Sequence, residues 1–192
     1  MRHPFRVLLA ALALAALPAS AQDVYKIDPV HSQVAFQIRH FVSKVSGRFA
    51  KFSGEIRVDT KDITKSSVEV TIDAASINTD NQTRDNHLKS PDFFDVAKFP
   101  TITFKSTAVK EVAKGKLEIT GDFTLHGVTK QITFPITNAG TAKGMQPGSV
   151  VAGFTDGALT INRNDYGIKT FPGVLGDDVA ISLDVEADKV SK

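Results

Sequence analysis

The chain of 192 residues carries 23 Lys or Arg, 21 Asp or Glu and no cysteine. The missing cysteine excludes disulfide staples, thiol chemistry, cysteine-based metal sites and a lipid-modified N-terminal cysteine. Two of the basic residues and none of the acidic ones fall in residues 1–21, so residues 22–192 balance at 21 of each, and a near-neutral domain lacks the electrostatic footprint of a nucleic-acid binder.

Arg2 and Arg6 precede an apolar run over residues 7–17, and Ala19-Ser20-Ala21 supplies small residues ahead of Gln22. That order of positive, apolar and small residues is the mark of a cleavable signal peptide over residues 1–21. The run is shorter than the roughly 20 residues a membrane span needs, and no second run follows. The expectation is one exported domain, residues 22–192, with no stable membrane anchor.

Beyond the leader, apolar and polar residues alternate repeatedly, the period-two pattern of strands with one buried face. Val34, Phe36 and Ile38 come first, followed by Val68, Val70 and Ile72. Asp80 or Asn81 then predicts the cap of a short helix through Leu88 or Lys89, stopped by Ser90-Pro91. Ile102 and Phe104 resume the alternation. Residues 116–125 carry it most clearly, with Leu117, Ile119, Gly121, Phe123 and Leu125 on one face. His126-Gly127 predicts a tight hairpin, because Gly accepts the positive φ such a turn requires. Ile132, Phe134 and Ile136 follow, and residues 139–149 (AGTAKGMQPGS) are expected to form a flexible loop. Over residues 150–161 the apolar phase slips near Asp156-Gly157, which predicts a bulge or two short strands. Val179, Ile181, Leu183 and Val185 close the series. The count is about eight strands with one or two short helices, an all-β chain. Patterning alone leaves an antiparallel barrel and a sandwich open.

No nucleophile elbow, HExxH, phosphate-binding loop or dinucleotide fingerprint is present. His31, His40, His87 and His126 are scattered. Asp28, His31 and Ser32 are neighbours, for which a capped turn is the simplest reading, since adjacency is not triad geometry. Arg84, Asp85 and His87 with Asp92 and Asp95 form the densest polar cluster. Three readings stand beside one another: a metal site using His87 and carboxylates, a segment tied down by Arg–carboxylate pairs and anchored by Phe93, Phe94 and Phe99, or a lid over a barrel mouth. Asn81-Gln82-Thr83 matches a glycosylation triplet, one that is common by chance.

Several stretches then read together. Ile27-Asp28 with His31-Ser32, Val34, Phe36, Ile38 and His40 form an opening motif. Gly47-Arg48-Phe49, Phe52 and Gly54 follow. Ala75-Ser76-Ile77, Thr79, Arg84-Asp85, His87-Leu88, Ser90, Asp92-Phe93-Phe94-Asp95 and Pro100 form a specific central signature. Gly121, the LHGVTK of residues 125–130, and Arg163 with Tyr166-Gly167 complete the series. In this order and spacing the chain resembles the YceI-like, polyisoprenoid-binding family, with Tyr166 where that family more often has Phe. The resemblance implies a lipocalin-like, extended eight-stranded antiparallel barrel. It also implies a periplasmic location, and a hydrophobic pore for a long isoprenoid or similar lipid: a polyprenyl phosphate, a quinone tail or a fatty amide. A homodimer is compatible with it, and no cofactor other than bound lipid is implied.

On that reading the lining candidates are Val34, Phe36, Ile38, Phe49, Val70, Ile72, Phe104, Ile119, Phe123, Phe134, Phe154, Ile181 and Leu183. Arg39, His40, Arg84 and His87 are candidates for the ligand head group, because a guanidinium suits a phosphate and His suits a quinone or amide. The expected function is a carrier of isoprenoid-type lipid and not an enzyme. Two alternatives stand beside it: a solid barrel that recognises another envelope protein, and a lipid-modifying enzyme built on Arg84, Asp85 and His87.

Overall fold

The computed structural model describes residues 22–190; the expected signal segment, residues 1–21, lies outside them. The strands are β1 (Asp23–Ile27), β2 (Gln33–His40), β3 (Ser43–Phe49), β4 (Phe52–Val58), β5 (Ser67–Asp73) and β6 (Ile77–Asn78). After the helix α1 (Gln82–Leu88) come β7 (Thr101–Ala113), β8 (Lys116–Leu125), β9 (Val128–Lys143), β10 (Val150–Asn162) and β11 (Leu175–Lys189). All pairings between these strands are antiparallel. The circuit β1-β4-β5-β7-β8-β9-β10-β11 closes on itself because β11 also pairs with β1. This is the eight-stranded barrel, and closure leaves it without a free sheet edge along the circuit.

The remaining three strands lengthen the wall at one end. β11 pairs with β1 over its last residues, through Ile27↔Ala187, and with β2 from Asp184↔Gln33 back to Leu175↔His40. Thus β1 and β2 act as one interrupted strand. At the interruption, Asp28 N–H donates to the carbonyl of Glu186, while the Ser32 hydroxyl donates to that carbonyl and accepts from Glu186 N–H. A side chain therefore replaces the missing ladder partner, satisfying backbone groups that are costly to leave unpaired. β2 turns into β3 at Phe41-Val42, and β3 pairs with β6.

The alternating residues fall inward as the period-two pattern requires. The predicted hairpin at His126-Gly127 joins β8 to β9, with φ of 50° and 74°, the double positive-φ turn that suits twisted strands. The predicted phase slip is a bulge between Phe154 and Gly157. The expected loop over 139–149 is corrected: β9 runs on to Lys143, pairing Gly140↔Gly153 through Lys143↔Val150, and the loop is only 144–149. Residues 139–143 carry no apolar alternation, so backbone bonds alone hold them in the sheet. Asn81 caps α1 by accepting from Arg84 N–H.

Candidate functional site

The barrel is not solid. A cavity of about 680 Å³ runs along its axis, within the usual range for ligand sites, roughly 300–1,000 Å³. Apart from His40, Ser66, Ser67, Thr79, Arg84, His87 and Arg163, every lining residue is apolar, and no acidic side chain is among them. Ser66 and Ser67, where the chain enters β5, mark one end. At the other end the lining includes four exposed residues, His40, Phe41, His87 and Phe171, which mark where the cavity meets solvent.

All thirteen apolar candidates line this cavity, as do His40, Arg84 and His87. Arg39 does not, and its expected place at a head group is corrected. On β2 it alternates with Ile38 and His40, which face inward, so its side chain starts on the outer face. Its guanidinium donates to the carbonyls of Phe41 (2.8 Å), Val174 (3.4 Å) and Gly173 (3.5 Å). It braces the rim and does not enter the cavity.

The central signature converges on Thr79. Arg84 Nε donates to Thr79 Oγ1 (2.7 Å) and Arg84 Nη2 to the Thr79 carbonyl (2.7 Å). The Asp85 carboxylate accepts from both the N–H and the hydroxyl of Thr79. Thr79 and Asp85 are 6% and 7% exposed. Where one of the three readings of this cluster has an Arg–carboxylate pair, a shared threonine bridges Arg84 and Asp85. Among the described residues Arg84 makes no ion pair, so a half-buried guanidinium lines an apolar cavity with no acidic side chain on its wall. Arg163 differs. It is 3% exposed, donates to the carbonyls of Gly176, Ile168 and Thr170, and pairs with Asp177.

His87 Nε2 lies 2.9 Å from Asp92, and its ring packs edge-on against Phe93 (5.1 Å) and Phe171 (6.0 Å). α1 and the segment after it lie across this end of the barrel. Phe94 packs on Phe49 of β3 on one side (5.8 Å). On the other, Phe93 meets Phe171 (6.1 Å), and the Thr170 hydroxyl donates to the Asp92 carbonyl. Among the described residues the one trio with metal-ligand spacing is Asp28, His31 and Glu186 at the β1–β2 interruption, not a trio around His87. His31 Nδ1 sits 2.6 Å from Asp28 while Ser32 serves the Glu186 backbone, the arrangement of a capped turn. His126 takes the place expected of it in the hairpin, with Nδ1 3.1 Å from the Tyr166 carbonyl and its ring against Phe99. Phe41, Phe171 and Val174 are lining residues that the alternation did not single out, because they lie in turns.

A closed antiparallel barrel of eight strands around a deep apolar cavity is a lipocalin-like barrel. Within that class the chain belongs to the YceI-like family, whose domain profile matches residues 25–187. A UPF0312 protein of Shewanella sp. (strain MR-7) is 39% identical over 183 residues, covering 93% of this chain and 94% of the relative. One from Vibrio parahaemolyticus is 38% identical over 187 residues, covering 94% and 95%. The crystal structure of the Campylobacter jejuni YceI protein superposes with a TM-score of 0.69 at 34% identity, over 78% of this chain and 88% of that one. BcnA of Burkholderia cenocepacia superposes with a TM-score of 0.74 at 25% identity, over 83% and 98%. A polyisoprenoid binding domain from Saccharophagus degradans shares the fold, with a TM-score of 0.65 at 17% identity over 86% and 98%.

Proposed function

We propose that this protein is a periplasmic carrier that holds a long isoprenoid-type lipid chain in the barrel and releases it at the end marked by Phe41 and Phe171. The observation that carries the reading is the apolar cavity along the axis, polar only at its ends. Contacts to such a wall are non-directional, so a chain is selected by length and bulk. Burying roughly 500 Å² of it at about 25 cal/mol per Å² returns on the order of 12 kcal/mol gross, and ordering the chain removes a substantial share. Micromolar binding needs about 8 kcal/mol of that to remain. Arg84, with His40 and His87, lies where the head of a bound lipid would rest. An unpaired guanidinium favours a phosphate over a quinone or amide.

The family membership and the fold shared with a polyisoprenoid binding domain support the lipid class. Residues 1–21 support export. The carrier reading calls for no catalytic step. The solid-barrel alternative loses its premise to the cavity. The test is organic extraction of protein purified from its native periplasm, followed by mass spectrometry. A polyprenyl or prenylquinone species at near-stoichiometric yield is expected. Lipid-free protein that also takes up no added polyprenyl chain would refute the reading.

A further inference from the structure

Among the described residues, six non-glycine positions have positive φ. Four are Asp80, Asp95, His126 and Asp156, residue types that tolerate the left-handed region. The other two are phenylalanines, Phe41 (φ 48°) and Phe171 (φ 55°), and a bulky side chain there is an uncommon conformation that clusters at functional sites. Both line the cavity, and both are exposed, at 59% and 46%. Val42 beside Phe41 is fully exposed. The two turns are bonded into one unit: Phe41 N–H donates to the Val174 carbonyl, Val174 N–H to the Phe171 carbonyl, and Arg39 clamps the carbonyls of Phe41, Gly173 and Val174. Through Phe41 and Phe171 the apolar wall of the cavity thus reaches the outside of the protein, beside His40 and His87.

The two turns of the lip are flanked in sequence by cations, while the acidic groups nearby, Asp92 and Asp177, are paired with His87 and Arg163. Residues 29–54, which include the Phe41 turn, hold Arg39, Lys44, Arg48 and Lys51 and no acidic residue; residues 166–176, which include the Phe171 turn, hold Lys169 and none. Lys44 and Lys169 are exposed, and among the described residues neither is in an ion pair. Exposed aromatic and aliphatic tips flanked by cations fit the interface of an anionic bilayer, where apolar side chains enter the acyl boundary and Lys and Arg meet headgroups. We infer that the lip formed by Phe41, Val42 and Phe171 docks on an anionic lipid surface. Docked there, the cavity opens into the acyl layer, and a chain moves between membrane and barrel without crossing water. The purpose of the docking rests on the carrier reading; its test does not.

The protein contains no Trp, so Phe41→Trp places a single reporter at the lip. Val112→Trp places one on the β7–β8 hairpin, at the opposite end of the barrel. Purified protein is mixed with vesicles of phosphatidylcholine alone, or of equal parts phosphatidylcholine and phosphatidylglycerol. The expected result is a blue shift of the indole emission in the Phe41→Trp variant with the anionic vesicles only, and none in the Val112→Trp variant. In the otherwise unchanged sequence, Val42→Ser and Lys44→Glu alter exposed tips without touching the core. Val42→Ser should lower vesicle partitioning by up to about tenfold, the scale of withdrawing one buried apolar side chain. Lys44→Glu should weaken it measurably at low salt and much less at about 1 M salt, where charges are screened beyond about 3 Å. An unshifted spectrum of the lip reporter together with equal flotation of the parent, Val42→Ser and Lys44→Glu overturns the inference and hands the lip to a protein partner. Lipid extraction from the same preparation keeps the two readings apart. Protein that carries lipid but ignores vesicles refutes the docking surface alone. Protein that docks but never holds a chain refutes the carrier alone.

Discussion

The hydroxyl of Thr79 sits between a guanidinium and a carboxylate, accepting from Arg84 and donating to Asp85. Replacing it with Val keeps the shape and takes one hydrogen bond from each charged partner, leaving Asp85 only the residue-79 N–H and Arg84 only its carbonyl. A hydrogen bond to a charged group contributes about 1.5–3 kcal/mol. Thr79→Val should therefore lower the urea midpoint with an unchanged slope, while Thr79→Ser retains most of the stability. At the β1–β2 interruption, Asp28 and His31 perturb one another. The hydrogen bond to His31, helped by Val30 N–H, holds the Asp28 carboxyl below its ordinary value, and the same bond and the Asp28 charge raise the His31 imidazole. The raised His31 favours the folded turn below the ordinary histidine pKa of about 6.5 and loses that contribution as pH rises through its own higher value. The lowered Asp28 contributes above the ordinary carboxylate range and loses it as pH falls. The turn is thus best held at mildly acidic pH, between the ordinary carboxylate and histidine values. By NMR, the His31 midpoint should lie above that of a free histidine and return to it in Asp28→Asn; an unchanged midpoint in that variant would count against the pair. At this scale the sequence announced Asp28, His31 and Ser32 as a capped turn, yet not that Ser32 repairs the ladder of a strand 154 residues away, because such a bond has no local signature.

Strands were the most readable elements. Leu117, Ile119, Phe123 and Leu125 point into the cavity as their alternation required, and the slip at Asp156-Gly157 announced a real bulge. What escaped follows from the same physics. Residues 139–143 are small or polar on both faces, so their pairing leaves no hydrophobic trace. Phe41 and Phe171 sit in turns, where exposed apolar residues have no period to reveal them. Arg39 could have been placed by alternation, since it sits between inward-facing Ile38 and His40. Close packing between strands adds a constraint that period cannot show. A Cβ on Gly121 would lie 2.4 Å from the Lys105 carbonyl and 2.5 Å from the Phe104 ring. The strand backbone cannot retreat without breaking the β7–β8 ladder, in which Gly121 faces Ser106. Gly121→Ala should cost about 1–3 kcal/mol as an overpacked site. For a chain of this size that is a loss of about 2–4 °C in Tm per kcal/mol, readable by thermal melts followed by circular dichroism. An unchanged Tm would mean that β7 and β8 slide apart more easily than their long ladder implies.

On the scale of the molecule, the proposed carrier function makes the barrel a measuring sleeve. Its walls offer no directional contact along most of the axis, so the length between the lip and the floor near Ser66 and Ser67 decides which chain fits. Val109 lies beyond the last β5–β7 ladder pair, Glu69↔Lys105, and lines the cavity on the floor side. Val109→Trp fills that floor while leaving Arg84, His40, His87 and the lip untouched. If a lipid enters tail first with its head at the lip, the variant should still bind, but the longest chains should disappear from the extracted mixture and shorter ones take their place. Mass spectrometry of lipid extracted from parent and variant, purified side by side, reads this directly. An unaltered chain-length distribution would show that the tail does not reach the floor. Loss of all lipid from a variant with a native melting curve would place the head group at the floor. In that case the guanidinium of Arg84 would face a passing chain and not its end.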